Sequence, residues 1–145
     1  MQDLDFINHE DITDVYHFEK EIGQSLNKVA QGVHYETGEE VAIKVMDISQ
    51  INENDKKNLA SELLILRQLN HPNILELREA FIDEENETFY IVSELLKGGP
   101  LNDTIQEYDY LPENKAAKIL YPVADAIRFM HEKGVVHRDL KVRSL

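Results

Sequence analysis

Short apolar runs, several of them alternating with polar residues, fill the first two thirds of the chain and predict a sheet. Turn-forming residues at 37–40 and an acidic run at 83–87 separate neighbouring apolar runs, as hairpin connections do. The predicted strands, in chain order, are 15–23, 29–35, 41–44, 74–82 and 88–94. We therefore expect a five-stranded antiparallel sheet.

A helical period replaces the alternation between residues 52 and 68. Leu59, Leu63 and Leu66 recur at three- and four-residue spacing, and Asn52 is a suitable N-terminal cap. We expect this helix to pack on the sheet through its leucines.

A second apolar stripe follows in a helix that begins near Pro112, and it consists of Ile119, Val123, Ile127 and Met130. Pro122 lies inside this helix and predicts a kink. The whole pattern predicts an α+β fold. Its parts are an acidic flexible tail over residues 1–14, a strand-rich lobe over 15–96 and a helical region over 97–145.

Composition places the chain among globular proteins, with 145 residues of which 42% are hydrophobic and 30% charged. There is no cysteine, which excludes disulfides and thiolate metal sites, and we predict no metal ligands. The chain has no apolar run of membrane-spanning length and no signal-peptide pattern, so we expect a cytoplasmic or nuclear protein. The net charge of −13 argues against nucleic-acid and membrane partners and is compatible with basic peptides, although solubility alone also explains it.

One predicted strand ends in a cation, in the run Val41-Ala42-Ile43-Lys44. By itself this is an ordinary strand with a solvated lysine. Glu62, however, lies inside the leucine stripe of the following helix, so a strand lysine and a helix glutamate can meet in the interior. Burial of either charge alone is costly, so each needs the other. A lysine held in this way is well placed to bind a polyphosphate.

Further motifs stand in order around this pair: Ile22-Gly23, His71-Pro72-Asn73-Ile74, 89–94, Gly98-Gly99 and His137-Arg138-Asp139-Leu140-Lys141. Their order and spacing resemble the first half of a eukaryotic protein kinase domain. Within that family the chain is most similar to the calcium/calmodulin-dependent group of serine/threonine kinases. The resemblance extends over about residues 15–141. It implies a kinase small lobe over 15–96 and a truncated start of the large lobe over 97–145.

The resemblance implies that ATP is bound in this lobe. Val29 and Ala42 would enclose the adenine ring, and Ser93 would be the small residue at the back of the adenine pocket. Glu94 and Leu96 would contribute backbone hydrogen bonds to the base. An apolar pair such as Val29 and Ala42 is equally typical of plain core packing.

Lys44 would contact the α- and β-phosphates, with Glu62 orienting it. The phosphate loop departs from the family pattern, because the run 23–29 has one glycine and one residue fewer than Gly-x-Gly-x-x-Gly-x-Val. Its predicted nucleotide-binding residues are Ile22, Gly23, Gln24, Leu26 and Asn27. We expect weak nucleotide binding and a loosely closing loop.

The catalytic residues implied by the resemblance are Asp139, which would orient the substrate hydroxyl, and Lys141, which would reach the transferred phosphate. After Lys141 the family pattern stops, since Ser144 stands where a magnesium-binding asparagine is expected and no Asp-Phe-Gly run is present. The family uses Mg²⁺, but its ligands are missing here. We therefore expect an incomplete and inactive fragment.

Two functions fit these features. The first is an ATP-dependent serine/threonine protein kinase domain that acts on protein or peptide substrates. The second is a non-catalytic, kinase-like module that binds a regulator or a full-length kinase as a decoy. A third candidate, an unrelated nucleotide-binding domain with a parallel sheet, conflicts with the hairpin signals ahead of Lys44.

Overall fold

The structure, a computed structural model, describes residues 6–24, 28–99, 101–107 and 111–141. The chain divides into two compact units, one formed by Met1–Gln68 with Leu75–Leu95 and the other by Leu69–Ile74 with Leu96–Leu145. The predicted α+β class is confirmed. The segment Leu69–Ile74, expected in the strand-rich lobe, groups with the helical unit instead.

The first unit is built on a six-stranded sheet. Its strands are β1 (Ile7–Asn8), β2 (Tyr16–Gln24), β3 (Lys28–His34), β4 (Glu40–Asp47), β5 (Leu77–Asp83) and β6 (Thr88–Glu94). They lie in the order β1-β5-β6-β4-β3-β2, and only the β1–β5 pair is parallel. Gly38 closes the predicted turn between β3 and β4, where its φ of +70° suits a residue without a Cβ.

The sixth strand corrects the expectation of a flexible tail over residues 1–14. β1 pairs with the edge of β5, and the short helix α1 (Ile12–Val15) follows it, capped by Asp11. Ile12 is only 3% exposed. A two-residue strand and a single buried isoleucine are too short to produce a periodic signal, so the acidic residues around them dominate the sequence pattern. Residues 1–5 of the predicted tail lie outside the described residues.

The main helix, α2 (Glu53–Gln68), agrees with the predicted helix. Asn52 caps it, because its Oδ1 accepts hydrogen bonds of 3.0 Å from the backbone N–H groups of Asn54 and Asp55. Leu63 is the residue of α2 that is fully buried, whereas Leu59 and Leu66 are half-buried. The attachment of α2 to the sheet therefore depends on few side chains.

Two apolar clusters lie on opposite faces of the sheet, as the assignment of the consecutive residues Ala80 and Phe81 to different clusters requires. The first core cluster consists of Ile12, Tyr16, Val41, Ile43, Phe81 and Val92. The second core cluster, which includes α2, consists of Ile48, Leu63, Leu77, Ala80 and Phe89. Val41 and Ile43 of β4 are buried in the first cluster, whereas Ala42 and Lys44 lie on the opposite face, where Met46 packs against the second cluster.

The second unit contains helices α3 (Leu101–Glu107) and α4 (Glu113–Glu132). Pro112 immediately precedes α4, as predicted, and Pro122 lies inside it. The predicted apolar stripe of α4 is half-buried, while Leu120 and Tyr121 on another side are exposed. In the described part of the chain, no helix is long and apolar enough to cross a membrane.

His71 explains why Leu69–Ile74 belongs to the second unit. Its ring lies against that of Phe129, with centroids 5.0 Å apart, and its Nε2 lies 3.2 Å from Oδ2 of Asp125. Nδ1 accepts a hydrogen bond of 3.2 Å from the backbone N–H of Asn73, so Nε2 is the nitrogen that donates to Asp125. These contacts attach the segment to α4.

Candidate active site

Four predicted nucleotide-binding residues lie on one face of the sheet. In the strand register Val29 is opposite Lys44, and Ala42 is opposite Ser93. Directly opposed residues of antiparallel strands share a face, and residues two apart on one strand do so as well. Val29, Ala42, Lys44 and Ser93 therefore form a continuous patch, called the site face below.

The site face lies on the same side of the sheet as α2. Val41 and Ile43 point into the first core cluster, so the alternating residues Ala42 and Lys44 point the other way. Ile91, which is opposite Lys44, packs against the second core cluster that contains α2. The site face is thus supported from behind by a buried core and bordered by the helix that carries Glu62.

The predicted meeting of Lys44 and Glu62 is not found. Glu62 is exposed and Lys44 is half-buried, and neither a hydrogen bond nor an ion pair joins them among the described residues. The physical reason is the rotation of α2. Leu63 points at the sheet, and its neighbour Glu62 is turned about 100° around the helix from it. The catalytic roles of Lys44 and Glu62 remain predictions.

Small side chains shape the middle of the site face. Ala42 is half-buried, and Ser93 is 9% exposed with its hydroxyl 3.4 Å from the carbonyl oxygen of Glu94. Because these two short side chains lie directly opposite each other, we expect a shallow depression between β4 and β6 at this point.

The end of β6 is anchored by Glu94. Its backbone N–H donates to the carbonyl of Glu76 over 3.1 Å, and its carboxylate accepts from the backbone N–H of Glu76 over 2.9 Å. The N–H of Glu94 is therefore engaged within the sheet, and the carbonyl is the backbone group by which Glu94 can bind a ligand. Leu96, predicted to contribute its backbone, belongs to the second unit, where its side chain is 66% exposed.

The predicted phosphate loop is described only at its base. Gly23 pairs with Val29 and Gln24 with Lys28, so the two strands remain together up to the loop, and a register shift precedes Gly23. Ile22 lies at this irregularity with its side chain exposed. Leu26 and Asn27, which we also predict to bind nucleotide, lie outside the described residues.

Gln31 was not predicted as a site residue, yet it is buried on the site face. It lies opposite Ala42 and two residues after Val29, and its Nε2 donates to Oε1 of Glu40 over 3.0 Å. The available signal is the two-residue period of β3, which places Gln31 on the same face as Val29. The buried amide of Gln31 therefore lies beside Ala42 on the site face.

In the second unit, Asp139 and Lys141 form an ion pair in which Nζ lies 2.5 Å from Oδ2. The backbone N–H of Asp139 also donates to Nδ1 of His137 over 3.3 Å, and Arg138 between them has a φ of +64°. The hydrogen bond from Lys141 holds the pKa of Asp139 below its ordinary value. An aspartate is ionised at neutral pH in any case, so the Asp139 carboxylate can accept a hydrogen bond from a hydroxyl group.

Comparison with known proteins identifies the family to which the chain belongs. A sequence model described as the protein kinase domain matches residues 16–145. The chain belongs to the protein kinase family. The predicted resemblance is therefore confirmed.

Three of its kinase relatives show the extent of the similarity. The chain is 35% identical to calcium-dependent protein kinase 5 of Plasmodium falciparum over 147 residues, which cover 100% of the chain and 25% of that relative. It is 36% identical to myosin light chain kinase A of Dictyostelium discoideum, over 93% of the chain and 45% of that relative. It is 37% identical to the human hormonally up-regulated neu tumor-associated kinase, over 97% of the chain and 20% of that relative. The chain thus spans less than half the length of these kinases.

The kinase family uses ATP and Mg²⁺, and the described residues fit the two unequally. The depression at Ala42 and Ser93 suits a purine ring, and Lys44 on the same face suits a phosphate. For the cation, the described residues contain no group of three histidine, cysteine, aspartate or glutamate side chains that could hold a metal. Within the part of the chain that the structure describes, the site face thus offers a cation for phosphates, and no acidic or histidine cluster is found for Mg²⁺.

Proposed function

We propose that this chain carries the ATP-binding face and the catalytic loop of a serine/threonine protein kinase. The observation that supports this most directly is the site face, on which the strand register brings Val29, Ala42, Lys44 and Ser93 together. These residues come from three strands, and they are the ones that the kinase resemblance assigns to the nucleotide.

Adenine binds in the depression at Ala42 and Ser93 in this proposal. Val29 closes it from β3, and the carbonyl of Glu94 accepts a hydrogen bond from the exocyclic amine of the base. Ser93 sets the depth of the pocket, because a longer side chain at this position would fill the depression. The apolar contacts exclude water, and the backbone carbonyl orients the ring.

Lys44 binds the phosphates. Lys44 as a whole is half-buried on the site face, and its ammonium would form a charge-assisted hydrogen bond with a phosphate oxygen. Glu62 would orient Lys44 only after α2 turns or shifts, because it is exposed in the present arrangement. The protein's main contribution to phosphoryl transfer is positioning and charge stabilisation, which is why the location of this lysine matters more than its reactivity.

Asp139 and Lys141 act on the hydroxyl group of the protein substrate. The ionised carboxylate of Asp139 accepts the hydroxyl hydrogen bond and aligns the oxygen for attack, and Lys141 neutralises charge on the transferred group. Bound Mg²⁺ would neutralise the phosphate oxygens. A polypeptide of these 145 residues holds no Asp-Phe-Gly run, and we propose that alone it binds ATP weakly and transfers no phosphate.

A non-catalytic binding module is the second candidate. Two observations favour it: Lys44 and Glu62 are not paired among the described residues, and Gly23 is the single glycine of the run 23–29. The net charge of −13 suits basic peptide partners in either case. The two candidates differ in whether ATP occupies the site face.

Calorimetric titration of ATP into the full chain tests the proposal. Lys44→Ala should weaken ATP binding about tenfold or more, because it removes a charged partner of the phosphates. Lys57→Ala, which removes an exposed lysine of α2, is the matched control and should leave binding unchanged. Equal affinities for the wild-type chain and Lys44→Ala would contradict the assignment of the site face to ATP.

A further inference from the structure

The sheet face that carries the first core cluster is covered by a helix only in part. Helix α1 lies on this face, where Ile12 is buried and Val15 packs against the cluster. Helix α2 packs with the second core cluster, on the other face of the sheet. Beside α1, the side chains of Phe18, Val45 and Tyr90 pack against the first cluster and remain half-buried. Among the described residues of this unit, no helix other than α1 belongs to this face.

Phe18, Val45 and Tyr90, called the outer face below, form one continuous apolar surface. Val45 is directly opposite Tyr90 in the strand register, and directly opposed side chains are in contact distance. The rings of Phe18 and Tyr90 have centroids 6.4 Å apart with an angle of 69° between their planes. Ile43, which is 0% exposed, lies in the cluster that supports them. The outer face is therefore an apolar surface on a packed core.

Two carboxylates border the outer face at one end. Asp47 and Asp83 are both directly opposite Thr88, one on each side of it. Thr88 and Asp47 lie two residues along their strands from Tyr90 and Val45, which corresponds to about 7 Å and places them on the same side of the sheet. The apolar surface thus continues directly into an acidic one.

A third carboxylate, that of Asp11, belongs to the same end of the outer face. Burial raises the pKa of Tyr90 above its ordinary value, and the charges of Asp83 and Asp11 raise it further. Both carboxylates therefore act on the hydroxyl group of Tyr90, although they come from different elements. Asp11, Asp47 and Asp83 are called the acidic end below.

The acidic end is fixed in position and carries no bound cation of the chain. Each carboxylate accepts a hydrogen bond of 2.8–3.0 Å from a backbone N–H of its own turn, that of Thr13 for Asp11, Ser49 for Asp47 and Asn86 for Asp83. Among the described residues, none of the three forms an ion pair. An ionised carboxylate has about four acceptor positions, so each retains some for a cation.

Charge decides which kind of molecule matches this surface. The net charge of the chain is −13, so a second copy would bring further negative charge to the acidic end. Nucleic acids and anionic membranes are repelled in the same way. Lys28 lies opposite Val45 on β3, on the side of the outer face away from Asp83. A protein segment that carries both an apolar and a basic side chain complements the two parts of the surface.

We propose that the outer face binds an extended segment of a protein partner, which places an apolar side chain on Phe18 and Tyr90 and a lysine or arginine at the acidic end. The two side chains lie two residues apart in the partner, because that spacing in an extended chain also corresponds to about 7 Å on one side. Charge-assisted hydrogen bonds to the carboxylates select the cation. The outer face lies on the opposite side of the sheet from the site face, so the inference does not rest on the proposed function.

NMR titration of the full chain with a defined peptide tests the inference. The probe is acetyl-Lys-Gly-Trp-Gly-Lys-amide, in which a lysine stands two residues from the tryptophan in either chain direction. We expect saturable shifts of the Val45 methyl groups and of the Phe18 and Tyr90 rings, with a Kd of about 1 mM, because a short peptide makes few contacts. Acetyl-Glu-Gly-Trp-Gly-Glu-amide and acetyl-Lys-Gly-Gly-Gly-Lys-amide should each bind about tenfold more weakly or less.

Variants of the chain separate the two parts of the surface. Asp47→Asn combined with Asp83→Asn removes two charges and keeps the side-chain oxygens that accept the backbone N–H groups, so the turns should persist. This double variant should bind the lysine peptide about fivefold more weakly. Tyr90→Ala should weaken binding about tenfold, because it removes the central aromatic contact. Glu36→Gln, which removes an exposed carboxylate from the turn before β4, is the matched control and should leave binding unchanged.

Three outcomes would overturn the inference. The first is equal affinity for the lysine and the glutamate peptides, and the second is equal weakening in the double variant and in Glu36→Gln. The third is a set of shift changes confined to the site face or to the loop of Asp139. Broadening of the Tyr90 signals with protein concentration alone would assign the outer face to a second copy and overturn it as well. No nucleotide is present in these measurements, so a failure of ATP binding counts against the proposed function alone.

Discussion

In the first unit, apolar side chains are buried on both faces of a sheet, whereas in the second unit helix α4 leaves large apolar side chains in solvent. Among the described residues, all of the buried apolar residues except Leu69 and Ala126 lie in the first unit. Tyr121, by contrast, is 78% exposed in α4. The difference indicates that the buried side chains of the first unit stabilise its fold, whereas α4 has few buried side chains to stabilise it.

The predicted site residues are brought together in a different way within each unit. The site face arises from pairing between strands that are distant in sequence, such as Ala42 with Ser93. In the second unit, by contrast, Asp139 contacts His137 and Lys141, which lie with it in a run of five residues. Loss of tertiary structure would therefore abolish the site face, whereas the local contacts of Asp139 could still form.

The largest expected effect is the difference in stability lost when an apolar side chain is truncated in the first unit and in α4. Ile43→Ala should lower the free energy of unfolding by about 2–5 kcal/mol, because Ile43 is 0% exposed and its truncation leaves a cavity. Leu120→Ala, a comparable truncation in α4, should change it by less than about 0.5 kcal/mol because Leu120 is exposed. Urea unfolding of the two variants measures both values. Similar losses in the two would contradict the unequal division of stability.

Hydrogen exchange should show the same contrast without mutation. Amides of α4 are expected to exchange about 100-fold faster than those of β4 and β6, since few buried contacts hold α4 in place. Exchange monitored on a sample whose monomeric state is verified gives the comparison. Uniform protection of residues 112–137 in a monodisperse monomer would show that α4 is stable by itself.

A smaller effect is expected where β3 passes over the first core cluster. A Cβ at Gly32 would lie 2.5 Å from Cδ1 of Ile43, so Gly32→Ala should lower the free energy of unfolding by about 1–3 kcal/mol. Gly98→Ala is the matched control in the second unit, because a Cβ at Gly98 meets no atom within 4 Å. Thermal or urea unfolding distinguishes them. No loss in Gly32→Ala would mean that Ile43 adjusts freely, contrary to a tightly packed core.

The smallest expected effect is a change in one pKa. Lys141→Met should raise the pKa of Asp139 towards its ordinary value, because the hydrogen bond from Lys141 is the largest cause that lowers it. A carboxyl with a lowered pKa stabilises the folded state above its unfolded pKa and loses that contribution as pH falls through the folded pKa. For an exposed carboxyl the effect on stability is negligible, so the carbonyl-carbon NMR titration of Asp139 is the measurement. An unchanged pKa would indicate that groups other than Lys141 lower the pKa of Asp139.

Much of the fold follows from local patterns in the sequence. The alternation and the helical period predict five strands, α2 and α4, and the cap at Asn52 is a short-range signal that the structure reproduces. The resemblance to protein kinases implies the nucleotide-binding role of the site-face residues, and the strand period places Ala42 and Lys44 on one face. Asp139 and Lys141 are neighbours in sequence, and their ion pair needs only a turn.

Only the tertiary structure decided how these elements meet. β1 has two residues, so its place beside β5 depends on the open edge of that strand and on the apolar groove beside α2. The exposure of Glu62 depends on the rotation of a helix that one buried leucine holds. His71 links its segment to α4 through Asp125, which lies 54 residues away. Such contacts depend on many weak interactions between residues that are distant in sequence. A local sequence pattern does not show which of these interactions will be the more favourable.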